Sequence, residues 1–329
     1  DVKGPELETL GLLGGGILNK DLYHILKWNK ELDDLGLDTI SASNTLAYAM
    51  EANERGLWNN GLKFGDIEGI SKIWDDIAYR RGIGNELAEG SKRLSEKYGG
   101  KEFAMQSKGL ELAAYEPRRA VGQGLGYAVS NRGGCHLNGG YLVILEGLGL
   151  NIDAQTPHAK ADFTMMFQDL MEMISATGQC LFTSYAFFPG FLITRPNGAT
   201  ATAANKLLPH LGWAIRLMNK FPRVLAFHLP VFHHTKMMQK AVGMPMTFGK
   251  YLQTGERGFN LERAVNVRFG VSAAKDSLPK RLTDVPQDPN DPRTRVPLEQ
   301  MKKIYYQARG WDKSGIPTCR TLKKLKIAR

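Results

Sequence analysis

Cysteine is scarce in this 329-residue sequence. Only Cys135, Cys180 and Cys319 occur, and they are far apart and odd in number. A disulfide framework needs several paired cysteines, so this usage excludes one and favours a reducing compartment. The sequence therefore predicts a cytoplasmic protein.

Long hydrophobic runs are also missing. A membrane-spanning helix needs roughly 18 or more consecutive apolar residues, whereas the run YLVILEGLGL at residues 141–150 is shorter and contains Glu146. The sequence opens at Asp1 without a signal-peptide pattern and without a methionine. We therefore expect no membrane association, and we expect this chain to be the C-terminal part of a longer protein.

Basic residues are in excess, but they do not form a stripe. The formal net charge is +10 and the pI is about 9.4, with one cluster of lysines in the tail at Lys323, Lys324 and Lys326. Nucleic-acid binding would need a basic surface interleaved with aromatic residues, so we expect no nucleic-acid partner. An anionic cofactor, an acidic protein partner and a plain solvated basic surface all remain open.

Helical patterns dominate what is present. Apolar residues recur at helical spacing through residues 19–35, which end at Gly36, and Ser41 or Ser43 is expected to cap the next helix. Further glycines close helices at Gly56, Gly82 and Gly99, and longer helices are predicted over 159–176, 202–218, 261–269 and 298–309. Only 103–112 and 141–145 suggest short extended pieces. The fold class is therefore mainly α.

The length of the chain allows two domains, each with its own core. The series of glycine-closed helices stops around residues 99–108. We place the boundary there, which gives a helical domain over residues 1–107 and a second over residues 108–329.

An acidic segment near the start, GPELETLG at residues 4–11, is the first candidate for chemistry. Glu6 and Glu8 lie between a proline turn and a glycine-rich apolar segment. A partly buried carboxyl there would have a raised pKa that suits proton transfer. Helix capping explains either glutamate equally well.

The loop SNRGGCHLNGG at residues 130–140 is the second candidate. Its four glycines allow the backbone to approach a ligand, and Arg132, Cys135 and His136 supply an anion binder, a thiol and a titratable ring. A plain loop is the alternative interpretation.

Two further motifs predict no site. In GQGLG at residues 122–126 the third glycine comes one residue too early for a dinucleotide loop, and neither a preceding strand nor a ribose-binding acid is evident. His228, His233 and His234 lack the spacing of a helical metal pair, and Pro230 interrupts them. We interpret these histidines as structural.

Two helix ends share a spacing. In ELDDLGLDTIS at residues 31–41, Asp33-x-x-Gly36-Leu37-Asp38 aligns with Ser175-x-x-Gly178-Gln179-Cys180 in SATGQCLF at residues 175–182. The alignment predicts that two helices end in the same way, each offering a turn and a terminal ligand. Taken separately, Asp33 could be a solvated helix end, Asp38 a helix cap and Cys180 a buried apolar residue.

These motifs together resemble the tungsten-containing aldehyde ferredoxin oxidoreductase family. The resemblance is carried by the doubled D-x-x-G-L-D/C motif, the E-T-L-G opening, the S-N-R-G-x-C-H loop, the D-S-L-P-K-R stretch at residues 276–281, and YYQARGWDKSGIPT at residues 305–318. It extends over essentially the whole chain.

The resemblance implies a fold and cofactors. Members of that family have a β-rich N-terminal base domain and two mainly helical domains that close over a tungsten bis-pterin cofactor. This sequence resembles the two helical domains only, and the base domain is absent from it. The implied groups are the tungsten bis-pterin, a [4Fe-4S] cluster, and magnesium as a further candidate.

The resemblance also implies roles for individual residues. Asp33, Leu37 and Asp38 match the motif that holds one pterin. Carboxylates suit this role because they accept hydrogen bonds from pterin N–H groups. Cys180 matches the last of four cluster thiolates, with Leu181 as a pterin contact beside it; the other three thiolates would precede Asp1.

Two polar residues match positions near the metal. Glu8 would act as a general acid or base, and His136 would hydrogen-bond a substrate oxygen. From its place in the same loop we assign Arg132 to an anionic group, and we include Cys135 among the cofactor contacts.

The sequence departs from the family pattern at three places. Ser175 stands where the family has Asp, and Gln179 stands where it has Leu. The E-x-x-H motif of the family's iron-bridged dimers is missing, and Asp21-x-x-His24 is the nearest equivalent. That form of dimer is therefore not expected.

The resemblance implies oxidation of aldehydes to carboxylic acids, with ferredoxin or an iron–sulfur subunit as electron acceptor and the missing N-terminal domain as a further partner. One alternative is the tungsten subunit of a reductase that removes aromaticity from an aryl-CoA such as benzoyl-CoA. Another is a non-catalytic helical assembly subunit.

Overall fold

Helices account for most of the chain, as the apolar periodicity predicts, and the prediction of a mainly α fold is confirmed. The computed structural model describes residues 3–148, 150, 152–187, 190, 194–195, 197–222 and 233–327. Two compact units are formed. The first comprises Asp1–Glu116, Arg132–Cys135 and Leu278–Val285, and the second comprises Pro117–Asn131, His136–Ser277 and Pro286–Arg329. The boundary between residues 107 and 108 stays a prediction.

The first unit is built from short helices and one β-hairpin. In chain order these elements are α1 (Leu7–Leu13), a 3-10 turn (Gly15–Ile17), α2 (Leu22–Asp34), α3 (Thr39–Glu54), α4 (Ile70–Ala78), α5 (Ile83–Leu87), α6 (Gly90–Tyr98), β1 (Gln106–Ser107) and β2 (Leu110–Glu111).

The core of the first unit forms because α2 and α4 each bury one apolar face. Ile25, Trp28 and Leu32 are buried at helical spacing on α2. The ring of Trp28 lies edge-on to the ring of Trp74 from α4, with centroids 6.4 Å apart. This packing fixes where α2 ends, and therefore where Asp33 lies.

The two extended pieces predicted from the sequence have different outcomes. β1 and β2 pair antiparallel, with Gln106 opposite Glu111, and Lys108 and Gly109 both adopt positive φ in the two-residue turn. The prediction for residues 103–112 is therefore confirmed. The prediction for residues 141–145 is wrong, because a turn of π-helix covers Ile144–Leu148.

In the described residues of the second unit, helices are joined by loops and no β-strand longer than an isolated bridge is formed. Its elements are a 3-10 turn (Pro117–Arg119), α7 (Val121–Val129), the π-helical turn, α8 (Lys160–Ala176), a 3-10 helix (Leu181–Phe187), α9 (Ala199–Leu207), a 3-10 turn (Leu208–Leu211), α10 (Gly212–Lys220), α11 (His233–Val242), α12 (Phe248–Arg268), α14 (Leu298–Arg309) and α15 (Cys319–Lys324); α13 (Lys280–Thr283) belongs to the first unit.

Helix α8 forms the centre of the second unit, and glycine lets α12 approach it. A Cβ at Gly255 would lie 1.8 Å from the carbonyl oxygen of Asp169. No side chain fits in that space, so Gly255 is required for the close packing of the two helices. The helix predicted over residues 202–218 is interrupted, because Pro209 lies in the 3-10 turn that separates α9 from α10.

A buried acid lies beside this packing. Asp169 is 3% exposed and accepts a hydrogen bond from the guanidinium of Arg309. Burial raises the pKa of Asp169 from 3.8 to about 7, although the charge of Arg309 opposes the shift. The native state therefore binds more protons than the unfolded chain between about pH 4 and pH 7.

Replacing Asp169 with Asn should change how stability depends on pH. Because the folded pKa is raised, the contribution of Asp169 is fully present below about pH 4 and is lost as the pH rises through about 7. Between these pH values the melting temperature of the wild type should fall more steeply than that of Asp169→Asn. If the melting temperatures of the wild type and of Asp169→Asn change in parallel with pH across this range, the raised pKa of Asp169 is contradicted.

No helix in the described residues is long and apolar enough to cross a lipid bilayer.

Candidate functional site

The residues proposed from the sequence are divided between the two units. Glu8, Asp33, Leu37, Asp38, Arg132 and Cys135 belong to the first, and His136, Ser175, Gln179, Cys180 and Leu181 belong to the second. The contacts within each unit show which of these residues are brought together there.

The turn after α2 has a defined geometry. Gly36 adopts a left-handed φ of 69°, its N–H donates to the carbonyl of Asp33 at 3.1 Å, and the N–H of Leu37 donates to the carbonyl of Leu32 at 2.8 Å. This is a Schellman helix end, which needs glycine because only glycine takes this φ without a steric penalty. Asp33 and Asp38 are both exposed on either side of the turn.

The turn after α8 has the same geometry. Gly178 has φ 71°, its N–H donates to the carbonyl of Ser175 at 3.0 Å, and the N–H of Gln179 donates to the carbonyl of Ile174 at 3.3 Å. Cys180 follows with an exposed side chain. The prediction that the two helices end in the same way is confirmed.

The turn itself is not specific for a ligand. The end of α3 repeats it, with Gly56 at φ 69° and the N–H of Leu57 donating to the carbonyl of Ala52 at 2.9 Å. What distinguishes the two candidate turns is the chemistry of their first and last positions, a carboxylate or hydroxyl before the glycine and a carboxylate or thiol after it.

Asp38 is also a helix cap. Its Oδ2 accepts a hydrogen bond from the N–H of Ser41 at 2.7 Å at the start of α3. The prediction that Ser41 or Ser43 caps this helix is therefore wrong, and the alternative interpretation of Asp38 as the cap is correct. Capping uses one carboxylate oxygen, so the other stays available as an acceptor.

Glu8 lies in the same unit as Asp38, on a helix that contacts the start of α3. It is 9% exposed on α1, and the hydroxyl of Tyr115 donates a hydrogen bond to its Oε1. The neighbouring residue Thr9 hydrogen-bonds Thr39 at 2.7 Å, next to Asp38. The structure therefore brings the helix that carries Glu8 beside the start of the helix that Asp38 caps.

His136 is connected to the segment after Cys180 by two tyrosines. The ring of His136 lies edge-on to that of Tyr141 with centroids 5.7 Å apart, and the hydroxyls of Tyr141 and Tyr185 are 3.1 Å apart. Tyr185 lies in the 3-10 helix Leu181–Phe187, which begins directly after Cys180. His136 and the segment that follows Cys180 therefore belong to one neighbourhood of the second unit.

The Cys180 turn is supported from behind by a buried histidine. Thr183 Oγ1 donates to the carbonyl of Cys180 at 2.7 Å and lies 2.9 Å from Nε2 of His234, which is 3% exposed on α11. Burial lowers the pKa of His234. His234 is structural in these contacts; His233 is exposed and takes no part in them, and His228 lies outside the described residues.

Packing explains glycines of the loop at residues 130–140. A Cβ at Gly133 would lie 2.5 Å from the carbonyl of Ser107, and a Cβ at Gly134 would lie 2.4 Å from the carbonyl of Leu110. These glycines approach the hairpin of their own unit, so they are no evidence for a ligand. Arg132 is exposed and Cys135 is half-buried, and their assignment to the cofactor site stays a prediction from their place in this loop.

The motif GQGLG forms the start of α7 and is occupied by the protein itself. Glu146 is buried and accepts hydrogen bonds from the N–H groups of Gly122 at 2.8 Å and Gln123 at 2.9 Å, and Lys160 pairs with it. Burial raises the pKa of Glu146. A carboxylate of the chain thus satisfies the helix terminus where a nucleotide phosphate would lie.

Sequence reasoning missed Tyr115, Tyr141, Tyr185 and Thr183. In the sequence, Tyr141 stands out only because it directly follows two glycines. In the structure it adopts a left-handed φ of 53°, a conformation that non-glycine residues rarely take. Tyr115 and Tyr185 are found only through partners distant in the sequence, and the local contact of Thr183 with Cys180 has no sequence signature.

The described residues contain no group of three or more His, Cys, Asp or Glu side chains that could hold a metal ion. Cys135, Cys180 and Cys319 form no disulfide in the described residues. The three cysteines of the sequence are one too few for the four thiolates of a [4Fe-4S] cluster.

Residues 1–327 match the family model for domains 2 and 3 of aldehyde ferredoxin oxidoreductase. The chain belongs to the aldehyde ferredoxin oxidoreductase family. Among curated members of this family, the tungsten-containing aldehyde ferredoxin oxidoreductase of Thermococcus kodakarensis is 36% identical over 327 residues, covering 95% of this chain and 47% of the relative. That of Pyrococcus furiosus is 35% identical over 342 residues, covering 100% and 49%.

Two further likenesses are more distant. An aliphatic sulfonate oxidoreductase WOR-like subunit of Pyrococcus furiosus is 32% identical over 145 residues, covering 40% of this chain and 23% of the relative. The active-site complex BamBC of benzoyl coenzyme A reductase with 1,5-dienoyl-CoA has the same fold, with a TM-score of 0.64 at 18% identity, over 98% of this chain and 48% of that one.

The chain spans about half the length of the curated relatives it matches. Those relatives are named as oxidoreductases.

Proposed function

We propose that this chain holds the tungsten bis-pterin cofactor of an oxidoreductase that converts aldehydes to carboxylic acids and passes electrons through a [4Fe-4S] cluster to ferredoxin. The observation that carries this proposal is the pair of matched helix ends, with Asp33 and Asp38 on one and Ser175 and Cys180 on the other. The proposal concerns the full-length protein, of which this chain is a part.

The first helix end suits a pterin. Pterin rings present amino and ring N–H donors, and a carboxylate can accept two or more of them. The side chain of Asp33 is exposed, and one oxygen of Asp38 is left over from capping α3. The Schellman turn holds the backbone between the two aspartates in one conformation. Less backbone entropy is therefore lost when both carboxylates bind one ligand.

The second helix end has a substitute for its missing carboxylate. Ser175 offers only a hydroxyl, but Gln179 is half-buried and its Oε1 is buried without a hydrogen-bond partner in the described residues. An orphaned acceptor costs about 1–3 kcal/mol. A pterin N–H donor would satisfy this oxygen, so Gln179 would supply the acceptor that Ser175 provides only weakly.

Cys180 is the one cluster ligand from this chain. Its thiol is exposed. Its carbonyl accepts a hydrogen bond from Thr183, and Thr183 is in turn hydrogen-bonded to His234. The other three thiolates come from the half of the family's length that this chain does not span. Cys180 would hold the cluster and Leu181, directly after it, would contact the pterin, so the cluster, when bound, would supply an exit for electrons at this turn.

Two residues handle protons and substrate. Glu8 accepts a hydrogen bond from the Tyr115 hydroxyl, and its neighbour Thr9 contacts Thr39 at the start of the helix that Asp38 caps, so we assign proton transfer to Glu8. His136 is placed by Tyr141 and Tyr185 to donate a hydrogen bond to a substrate oxygen. The tungsten bis-pterin cofactor, when bound, supplies the two-electron oxidation-state change.

A second candidate is reduction of an aryl-CoA ring. The departures at Ser175 and Gln179 favour a relative with a different substrate, and the benzoyl coenzyme A reductase complex shares the fold. The same residues serve both reactions. The two candidates differ in substrate and in the direction in which electrons move.

The full-length protein, purified without oxygen, should contain tungsten and pterin and should oxidise aldehydes with ferredoxin. Asp33→Asn should lower the pterin content several-fold, because a carboxylate acceptor becomes a mixed donor and acceptor. Asp34→Asn is the matched control, since Asp34 is exposed on the same helix and pairs with Lys30; its pterin content should not change.

Absence of tungsten, molybdenum and pterin would sink both candidates. Activity with an aryl-CoA and none with aldehydes would assign the second candidate. Equal pterin loss in Asp33→Asn and Asp34→Asn would remove Asp33 from the cofactor site while leaving the family assignment intact.

A further inference from the structure

A long groove crosses the second unit away from every residue assigned above. It consists of two adjoining cavities of about 550 and about 370 Å³. Helices α8, α10, α14 and α15 line the larger one, and both cavities share Asp162, Arg216 and Ile304 in their walls. No candidate cofactor residue lines either cavity.

Arg216 stands at the junction of the two cavities in a fixed orientation. Its Nε and Nη2 donate to the two oxygens of Asp162 at 3.0 and 2.9 Å. The Asp162 side chain is 2% exposed, whereas that of Arg216 is 58% exposed. The hydrogen bonds with Asp162 raise the pKa of Arg216. Nη1 donates to no other residue in the described part of the chain, so this planar cation offers a pre-oriented donor to the groove.

The larger cavity has an excess of positive charge. Its two carboxylates are already committed, Asp162 to Arg216 and Glu256 to Lys324 at 3.3 Å. Lys220 and Arg320 also line this cavity, and within the described residues neither forms an ion pair. The balance favours an anion over a cation or a neutral ligand.

The smaller cavity ends on an exposed aromatic surface. Trp213 lines it and is 69% exposed, together with His158 and His210. An exposed indole is a platform on which a planar ring can stack, with an energy of about 1–3 kcal/mol per base in nucleotide-binding proteins. The groove thus joins a ring platform to a cationic cavity through Arg216.

From this arrangement we propose that the groove binds a small molecule in which a planar ring is joined to a diphosphate, the chemistry of a nucleoside diphosphate. The ring stacks on Trp213, and the diphosphate takes its hydrogen bonds and charge from Arg216, Lys220 and Arg320. This ligand is separate from the proposed tungsten bis-pterin cofactor and does not depend on it.

Titration calorimetry of the full-length protein with ADP and with inorganic pyrophosphate tests this site at about 50 mM salt, where screening is weak. Both probes should bind, and ADP should bind more tightly. Arg320→Gln should weaken both by about tenfold, or ~1.4 kcal/mol. Trp213→Ala should reduce ADP binding to the level of pyrophosphate and leave pyrophosphate unchanged.

The control is Arg268→Gln, an exposed cation on α12 that does not line the groove. Arg216→Gln is expected to be the most severe variant, but it leaves Asp162 buried without its partner, so Arg320→Gln carries the conclusion.

Absence of heat with both probes, or equal binding by Arg320→Gln and Arg268→Gln, overturns the site. If Trp213→Ala leaves ADP binding unchanged, the nucleotide assignment is wrong. Binding of a poly-glutamate peptide without ADP binding would assign the groove to an acidic protein instead.

Discussion

Replacing Arg263 with Met is expected to lower the free energy of unfolding of the second unit by about 3–5 kcal/mol, the usual loss when one partner of a buried ion pair is removed. Arg263 and Asp276 are both 0% exposed, and Nη1 and Nη2 of the arginine donate to the two carboxylate oxygens at 2.9 and 2.6 Å. Met keeps most of the apolar stem, so the loss measures the charge and its hydrogen bonds.

The size of this effect follows from how many groups depend on Arg263. Its Nε donates to the carbonyl of Gly315 at 2.9 Å, and its guanidinium lies 4.6 Å from the ring centre of Trp311. The hydroxyl of Tyr306 donates to Asp276 at 2.6 Å. Without the arginine, Asp276 would be a buried carboxylate that keeps a single hydroxyl donor among these contacts.

Denaturant unfolding of Arg263→Met beside Arg268→Met separates this pair from a general loss of charge. Arg268 is exposed one turn further along the same helix, and its replacement should change the free energy of unfolding by less than about 0.5 kcal/mol. Adding Asp276→Leu to Arg263→Met should recover part of the lost stability, because no uncompensated charge then remains. A loss in Arg263→Met below about 1 kcal/mol would contradict this account.

The part of the candidate site that the sequence predicts is the part determined locally. A Schellman turn needs one glycine and a helix before it, and both are visible in Asp33-x-x-Gly36-Leu37-Asp38 and Ser175-x-x-Gly178-Gln179-Cys180. The mainly α fold is predictable for the same reason, because helical periodicity is a short-range signal.

What the sequence does not predict depends on contacts between distant segments. Tyr115 reaches Glu8 across 107 positions and Tyr185 reaches Tyr141 across 44, and no spacing rule relates such residues. The loop at residues 130–140 was misleading for a related reason. Gly133 and Gly134 suggest a ligand cradle, but the backbone they approach belongs to the hairpin of residues 106–111.

Replacing Cys180 with Ser in the full-length protein should remove the [4Fe-4S] cluster. A serine hydroxyl ionises far less readily than a thiol and binds iron weakly, and the described residues offer no cluster of alternative ligands near this turn. Iron and acid-labile sulfide, measured without oxygen, should fall by about four atoms each per chain. The low-potential electron paramagnetic resonance signal of the reduced cluster should disappear.

Cys319→Ser and Cys135→Ser are the matched controls for this experiment. Cys319 is exposed at the start of α15 and Cys135 is half-buried in the glycine-rich loop, so each removes one thiol without touching the Schellman turn. Iron, sulfide and the resonance signal should stay at the wild-type level in both.

If Cys180→Ser retains the cluster, the matched helix ends do not share a cofactor-binding role. If Cys135→Ser loses it instead, the ligand lies in the loop at residues 130–140, and Cys180 reverts to an exposed thiol after a common helix end. Because iron content and the signal are read without any substrate, either result stands whether the enzyme acts on aldehydes or on an aryl-CoA.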